Sequence, residues 1–112
     1  MNENKAIFKN RVHQWSKKLD VEVKLIVLRS MSKKWASCST SGRLTFDTSL
    51  LDLPAHLQDY VIVHELLHLQ IPNHGKLWKC LMSAYIGDYE SYERELKEIV
   101  KRSREISAVT SC

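Results

Sequence analysis

Three histidines and a glutamate occupy an eleven-residue window of this chain. Residues 64–68 read His-Glu-Leu-Leu-His, and His74 follows six residues after His68. Residues four apart on an α-helix lie about 40° apart around its axis, so His64 and His68 would face one metal ion. Glu65 would lie beside the metal and take a proton from water bound there. Catalytic zinc has three protein ligands, whereas structural zinc has four. The pattern therefore predicts a catalytic centre with one Zn²⁺ per chain.

The residues before this pentad predict that it lies on a helix. Asp52 is a suitable capping residue, and Pro54 suits the first turn because its missing N–H costs nothing there. Apolar residues recur at helical spacing from Leu57 to Leu67. We therefore expect the metal-binding helix to begin near Pro54.

The residues after the pentad predict a turn. Pro72 ends the helix because Ile71, as the residue before a proline, is disfavoured in α geometry. The Asn-His-Gly sequence at 73–75 is typical of a turn. In an uninterrupted helix His74 would lie about a turn and a half beyond His68, out of reach of the same metal. We expect the bend to return His74 to the metal.

Periodicity places six elements before and after this helix. Apolar residues spaced four, three and four apart predict an N-terminal helix: Phe8, Val12, Trp15 and Leu19. Strands are predicted at 21–28, 34–38 and 43–47, the last two joined as a hairpin. A third helix should end at Gly87, with Cys80 on its apolar face, and Asp88 should cap a fourth. This order of helix, three strands and three helices predicts one α+β domain over residues 1–112.

The composition limits the function classes. No apolar run approaches the ~20 residues that span a bilayer, and the N-terminus has no signal-peptide core. We therefore expect a cytoplasmic protein with no membrane partner. The net charge of +4 permits a nucleic-acid partner without requiring one.

Several segments resemble the YgjP-type metal-dependent hydrolases. They are Lys-Trp-Ala-Ser-Cys at 34–38 with Arg29 before it, Tyr-Val-Ile-Val-His-Glu-Leu-Leu-His-Leu at 60–69, Pro-Asn-His-Gly-Lys-Leu-Trp at 72–78, and Asp88-Tyr89. The resemblance covers about residues 29–92. It implies a zinc-dependent peptidase of zincin fold with His64, His68 and His74 as ligands. Ala36 stands where the family usually has glycine, and the chain is shorter than typical members.

Two other families share features with this chain. The His74-Gly75-x-x-Trp78 element is similar to the SprT-like proteases, which act on proteins crosslinked to DNA. In size the chain resembles the minimal gluzincins, in which a glutamate of a later helix is the third ligand. Glu90 or Glu93 is therefore the alternative to His74. A minimal zincin can be blocked by its own tail, so a latent enzyme is an alternative to an active one.

The leading hypothesis is a zinc metalloendopeptidase acting on a peptide or protein. Zinc would polarise the scissile carbonyl, and Glu65 would pass the water's proton to the leaving amine. The strand that contains Arg43, Leu44 and Thr45 would bind an extended substrate as an exposed sheet edge. The oxyanion would be stabilised by one of three tyrosines: Tyr85, Tyr89 or Tyr92.

Two alternatives come from other classes. A non-catalytic, zinc-stabilised binding module would have no use for a general base at Glu65. A DNA-associated protease would bring Lys33, Lys34 and Arg43 to phosphate, although a solvated charged turn explains these residues more simply. We expect Trp35 and Trp78 to be scaffold residues, with Trp78 fixing the turn that carries His74.

Overall fold

The computed structural model describes residues 2–31, 34–39, 41–71 and 73–103. Within these ranges the elements are α1 (Asn2–Leu19), β1 (Leu25–Arg29), β2 (Ala36–Cys38), β3 (Arg43–Asp47), a 3₁₀ helix (Thr48–Asp52), α2 (Ala55–His68), α3 (Lys76–Ile86) and α4 (Tyr89–Ser103). The predicted α+β order is confirmed. The 3₁₀ helix was not predicted, and β1 and β2 are shorter than expected.

The third strand lies in the middle of the sheet. The strand order is β1-β3-β2, with β3 parallel to β1 and antiparallel to β2. Both edges of β3 are therefore occupied, and Leu44 is fully buried. The prediction that Arg43, Leu44 and Thr45 offer an exposed edge to a substrate is wrong, because β1 pairs with the second edge of β3 although β2 lies between them in sequence. Among the described strands, β1 and β2 form the edges.

Helix α2 is the centre of the domain. All of its residues from Tyr60 to His68 are buried, because the helix packs against α1, α3, α4 and β2. A helix that is buried on every side has little freedom to shift. The two helix histidines are therefore held by the core of the protein.

The start of α2 differs from the prediction. Pro54 is itself the N-cap and makes no side-chain capping bond, whereas Asp52 closes the 3₁₀ helix. The side chain of Gln58 joins the two helices instead: its Nε2 donates to the carbonyl oxygens of Leu50 (2.8 Å) and Leu53 (3.2 Å). These bonds satisfy a buried amide and fix where α2 begins.

Helix α1 is attached to α2 through one carboxylate. Oδ1 of Asp59 accepts from Nη1 of Arg11 (3.2 Å) and from Nε1 of Trp15 (2.9 Å). Phe8 and Val12 are buried on the same side of α1. The predicted apolar face of this helix therefore packs on the core.

The two C-terminal helices are separated as predicted. Gly87 ends α3 with a φ of 84°, in the region that favours glycine. Oδ1 of Asp88 then accepts from the amide of Ser91 at 3.3 Å, near the start of α4. Cys80 is exposed, so the expectation that it lies on the apolar face of α3, as a buried core thiol, is wrong. None of the helices in the described part of the chain is long and apolar enough to cross a membrane.

Candidate metal centre

The three predicted histidine ligands lie together. His64 and His68 are on buried α2, and His74 is on the exposed turn that follows it. Their candidate ligand atoms all lie within 4.8 Å of one another. Nitrogens bound tetrahedrally to zinc at ~2.0–2.1 Å are separated by roughly 3.3 Å. Side-chain movements of roughly an ångström would therefore bring the three imidazole nitrogens into position around one ion. Three imidazoles are a ligand set that fits zinc.

The orientation of His68 is set by the backbone. Its Nδ1 lies 3.1 Å from the carbonyl oxygen of Ile71, and a carbonyl can only accept, so Nδ1 carries the proton. The Nε2 lone pair then faces Nε2 of His74 at 2.5 Å. A histidine that donates its second N–H to a carbonyl is typical of metal ligands.

Glu65 has one oxygen available for chemistry. Its side chain is fully buried, and Oε2 lies 3.1 Å from Nδ1 of His64. Among the described residues, Oε1 has no hydrogen-bond partner. Burial raises the pKa of Glu65 to about 8, against the opposing charges of His68, Lys34 and His74. A buried, unpartnered carboxylate oxygen is costly unless it has a partner in the working protein.

Burial has the opposite effect on the histidines. It lowers the pKa of His64 to about 3, an effect that His74 strengthens and Glu93 opposes. It also lowers the pKa of His68. Both imidazoles are therefore neutral near pH 7, which is the form that binds a metal ion.

Trp78 contacts all three histidines. Its ring centroid lies 5.0 Å from that of His64, 5.6 Å from that of His68 and 4.4 Å from that of His74. The indole is nearly parallel to the His68 ring, at 21°, and is buried. The predicted position of Trp78, in the core and against the turn, is confirmed. Trp35 is also buried, as expected.

Tyr60 and Glu93 form a second layer that was not predicted in this role. The hydroxyl of Tyr60 donates to Oε2 of Glu93 at 3.3 Å, and the Tyr60 ring lies 5.8 Å from that of His64. Tyr60 lies four residues before His64, which is the sequence signal that would have found it. Glu90 is exposed. The histidine cluster includes neither glutamate.

The three candidate oxyanion tyrosines lie in different places. Tyr85 packs against Trp15 on α1, and Tyr92 packs against His56. Tyr89 packs against Trp78, with ring centroids 5.8 Å apart. Tyr89 is therefore the one of the three that is linked to the histidine cluster, through its contact with Trp78.

Of the three basic residues that a DNA-associated protease would bring to phosphate, Lys33 lies outside the described residues.

Comparisons with known proteins agree with this geometry. The sequence profile of the YgjP-like metallopeptidase domain matches residues 1–99, so the chain belongs to the YgjP-like metallopeptidase family. A comparison with curated protein sequences finds no significant match.

The solved structures that are similar in fold include two metallopeptidase zymogens. The metallopeptidase zymogen abylysin of Pyrococcus abyssi superposes with a TM-score of 0.75 at 17% identity, covering 84% of this chain and 95% of that one. The metallopeptidase zymogen jannalysin of Methanocaldococcus jannaschii gives 0.71 at 29% identity, covering 85% and 96%. The fold of this chain is that of these metallopeptidases. At its centre is α2, the helix that carries His64, Glu65 and His68.

Proposed function

We propose that this protein is a zinc-dependent endopeptidase that binds one Zn²⁺ through His64, His68 and His74. The observation that carries the proposal is the position of Glu65. A buried carboxylate with an unpartnered oxygen lies beside three imidazoles whose ligand atoms are within 4.8 Å of one another. A purely structural zinc site would gain nothing from such a carboxylate.

The residues of the chain divide the work of hydrolysis. When bound, zinc would lower the pKa of water and polarise the scissile carbonyl. The positive charge of zinc would lower the pKa of Glu65 from its value of about 8 in the metal-free protein. Oε1 of Glu65 would then take the proton of the attacking water and give it to the leaving amine. Burial of α2 keeps bulk water from Glu65, so the carboxylate acts in a low-dielectric environment. Tyr89 is the tyrosine that we propose for the oxyanion.

The substrate would pair with β2 rather than β3. In the β2–β3 ladder the amide of Asp47 donates to the carbonyl of Trp35, and the amide of Ser39 donates to that of Arg43. Bonded pairs alternate in an antiparallel ladder, so the N–H and C=O of Ala36 point away from β3. Strand β2 packs against α2, and Ala36 is fully buried, so this edge would have to be uncovered before a peptide could pair with it. An extended peptide added there would lie alongside the helix that carries the metal ligands.

We further propose that the enzyme is made in a latent form. The two solved structures named above are both metallopeptidase zymogens, and one of them is 29% identical to this chain. The test is peptidase activity before and after limited proteolysis. A rise in activity would support latency, and full activity of the intact chain would contradict it.

The proposed function is tested by hydrolysis of casein and of a quenched peptide library. We expect cleavage by the zinc-loaded protein, before or after limited proteolysis, and loss of cleavage with a chelator. If the chelator unfolds the protein and neither form ever cleaves a peptide, the protein is instead a zinc-stabilised binding module.

A further inference from the structure

One face of α1 is a row of basic residues. Lys5, Lys9, His13 and Lys17 follow one another at intervals of four, and all are exposed. Helix α1 contains five Lys or Arg residues and one acidic residue, Glu3. Its net charge therefore equals the +4 of the whole chain. We call these four residues the basic row.

The basic row borders an edge of the sheet. Strand β1 is the edge opposite β2, and Leu25 at its start is 52% exposed. Between α1 and β1 lies a groove of about 220 Å³. It is lined by Lys9, His13, Val23, Lys24, Leu25 and Ile26, with no acidic residue among them. The groove thus combines a strand edge, an exposed apolar side chain and positive charge.

We propose that this groove binds an extended acidic segment of a partner protein, which adds a strand to β1. Side chains on one face of a strand repeat every ~6.6–6.8 Å, and residues four apart on a helix are ~6.0 Å apart along its axis. Carboxylates at alternate positions of the added strand would therefore meet Lys9 and His13, the two members of the basic row that line the groove. The intervening apolar side chains would cover Leu25.

The chemistry of the groove favours a peptide over other partners. Single-stranded nucleic acid binds where aromatic side chains stack on the bases, and the residues that line this groove include no Phe, Tyr or Trp. A second copy of the chain would bring two lysine-rich edges together, and like charges would repel. An added acidic strand would form backbone hydrogen bonds with the edge of β1, and its negative charge would complement the lysines of the groove.

The test measures binding of a fluorescent ten-residue peptide of alternating Glu and Val. The protein is the zinc-loaded full chain with Glu65→Gln, which prevents cleavage. Charge reversal in the groove, Lys9→Glu with Lys24→Glu, should weaken binding about tenfold or more. The matched control reverses two exposed lysines on α4, Lys97→Glu with Lys101→Glu, and should change affinity less than about twofold. Circular dichroism melting confirms that both variants fold.

Hydrogen exchange separates edge pairing from simple charge attraction. Bound peptide should slow amide exchange in residues 25–29 and leave that of β2 unchanged. Three results would overturn the proposal. They are equal loss of affinity in the groove and control variants, protection at β2 in place of β1, and tighter binding of a fifteen-nucleotide oligo-dT than of the peptide. Concentration-dependent dimerisation that Lys24→Glu abolishes would instead assign the groove to a second copy.

Discussion

The metal centre consists of a helix half and a turn half that are held in different ways. The helix half is His64, Glu65 and His68, which are buried on α2. The turn half is His74, which is exposed, and Trp78, which is buried behind it. The core fixes the helix half, whereas His74 is held by the indole of Trp78 and by its contact with His68. The position of His74 should therefore depend on Trp78 more than the positions of His64 and His68 do.

The largest expected effect comes from breaking the contact between the halves. Trp78→Ala should lower the free energy of unfolding by ~3–5 kcal/mol, out of a typical ~5–15 kcal/mol, and should also weaken zinc binding. Trp35→Ala is the matched control, because it removes an indole that is also buried but lies outside α3 and the turn that carries His74. It should lose similar stability while its folded fraction keeps zinc. Denaturant melts and bound-zinc assays measure both effects. A Trp78→Ala protein that melts like wild type and holds zinc would show that the position of His74 does not depend on Trp78.

The next effect tests which residue completes the site. His74→Ala should weaken zinc binding by at least ~10²-fold, because losing even an indirect partner of a ligand commonly costs 10–100-fold. Glu93→Ala and Glu90→Ala should change zinc affinity less. Competition with a zinc chelator gives the affinities. Tight, stoichiometric zinc in His74→Ala, with zinc lost in Glu93→Ala, would assign the third ligand to Glu93 on α4 instead of His74.

A smaller effect is expected in the pH dependence of the metal-free protein, which the helix half controls. The pKa of His64 falls from 6.5 to about 3 on folding, so its contribution to stability is lost as pH falls from 6.5 to 3. The pKa of Glu65 rises from 4.5 to about 8, so its contribution is lost as pH rises from 4.5 to 8. The two oppose each other between 4.5 and 6.5. Above pH 6.5 only the Glu65 effect remains, and stability should fall by up to about 2 kcal/mol by pH 8.

Glu65→Gln is the control for this pH effect. Because glutamine does not titrate, the decline between pH 6.5 and 8 should disappear in the variant. Denaturant titrations at pH 6.5, 7.2 and 8.0 measure it. An equal decline in wild type and variant would assign the pH dependence to another group.

The smallest expected effect concerns the sheet edge beside the helix half. A peptide that the enzyme cleaves is synthesised in several versions, each with a methyl group on a different backbone nitrogen. Methylation of the residue paired with Ala36 should lower kcat/KM about fivefold, the value of one hydrogen bond of ~1 kcal/mol, and methylation of its immediate neighbours should not. A uniform loss at every position would contradict pairing with β2.

Local features of the sequence predicted the helix half and the boundary between α3 and α4. The spacing of His64, Glu65 and His68, the apolar periodicity of α2, the glycine at 87 and the cap at Asp88 all act within a few residues. The strand at Arg43–Asp47 was predicted with its observed bounds because alternation is also local.

Long-range pairing is what the sequence did not reveal. Nothing in Arg43–Asp47 indicates that β1, eighteen residues earlier, pairs with its second edge, so the sequence pattern predicts β3 as an edge strand. The hydrogen bond from Tyr60 to Glu93 joins residues thirty-three apart. The capping role expected of Asp52 failed because a 3₁₀ helix occupies that stretch and Gln58 holds the start of α2.

The central claim is that Glu65 is the general base of a zinc peptidase, and Glu65→Gln tests it most directly. Zinc content and peptide hydrolysis are measured on the same preparations of wild type and variant. Glutamine keeps the shape and removes the base, so zinc should stay near one per chain while turnover falls at least ~10²-fold. Unchanged turnover in a variant that holds its zinc would contradict the account.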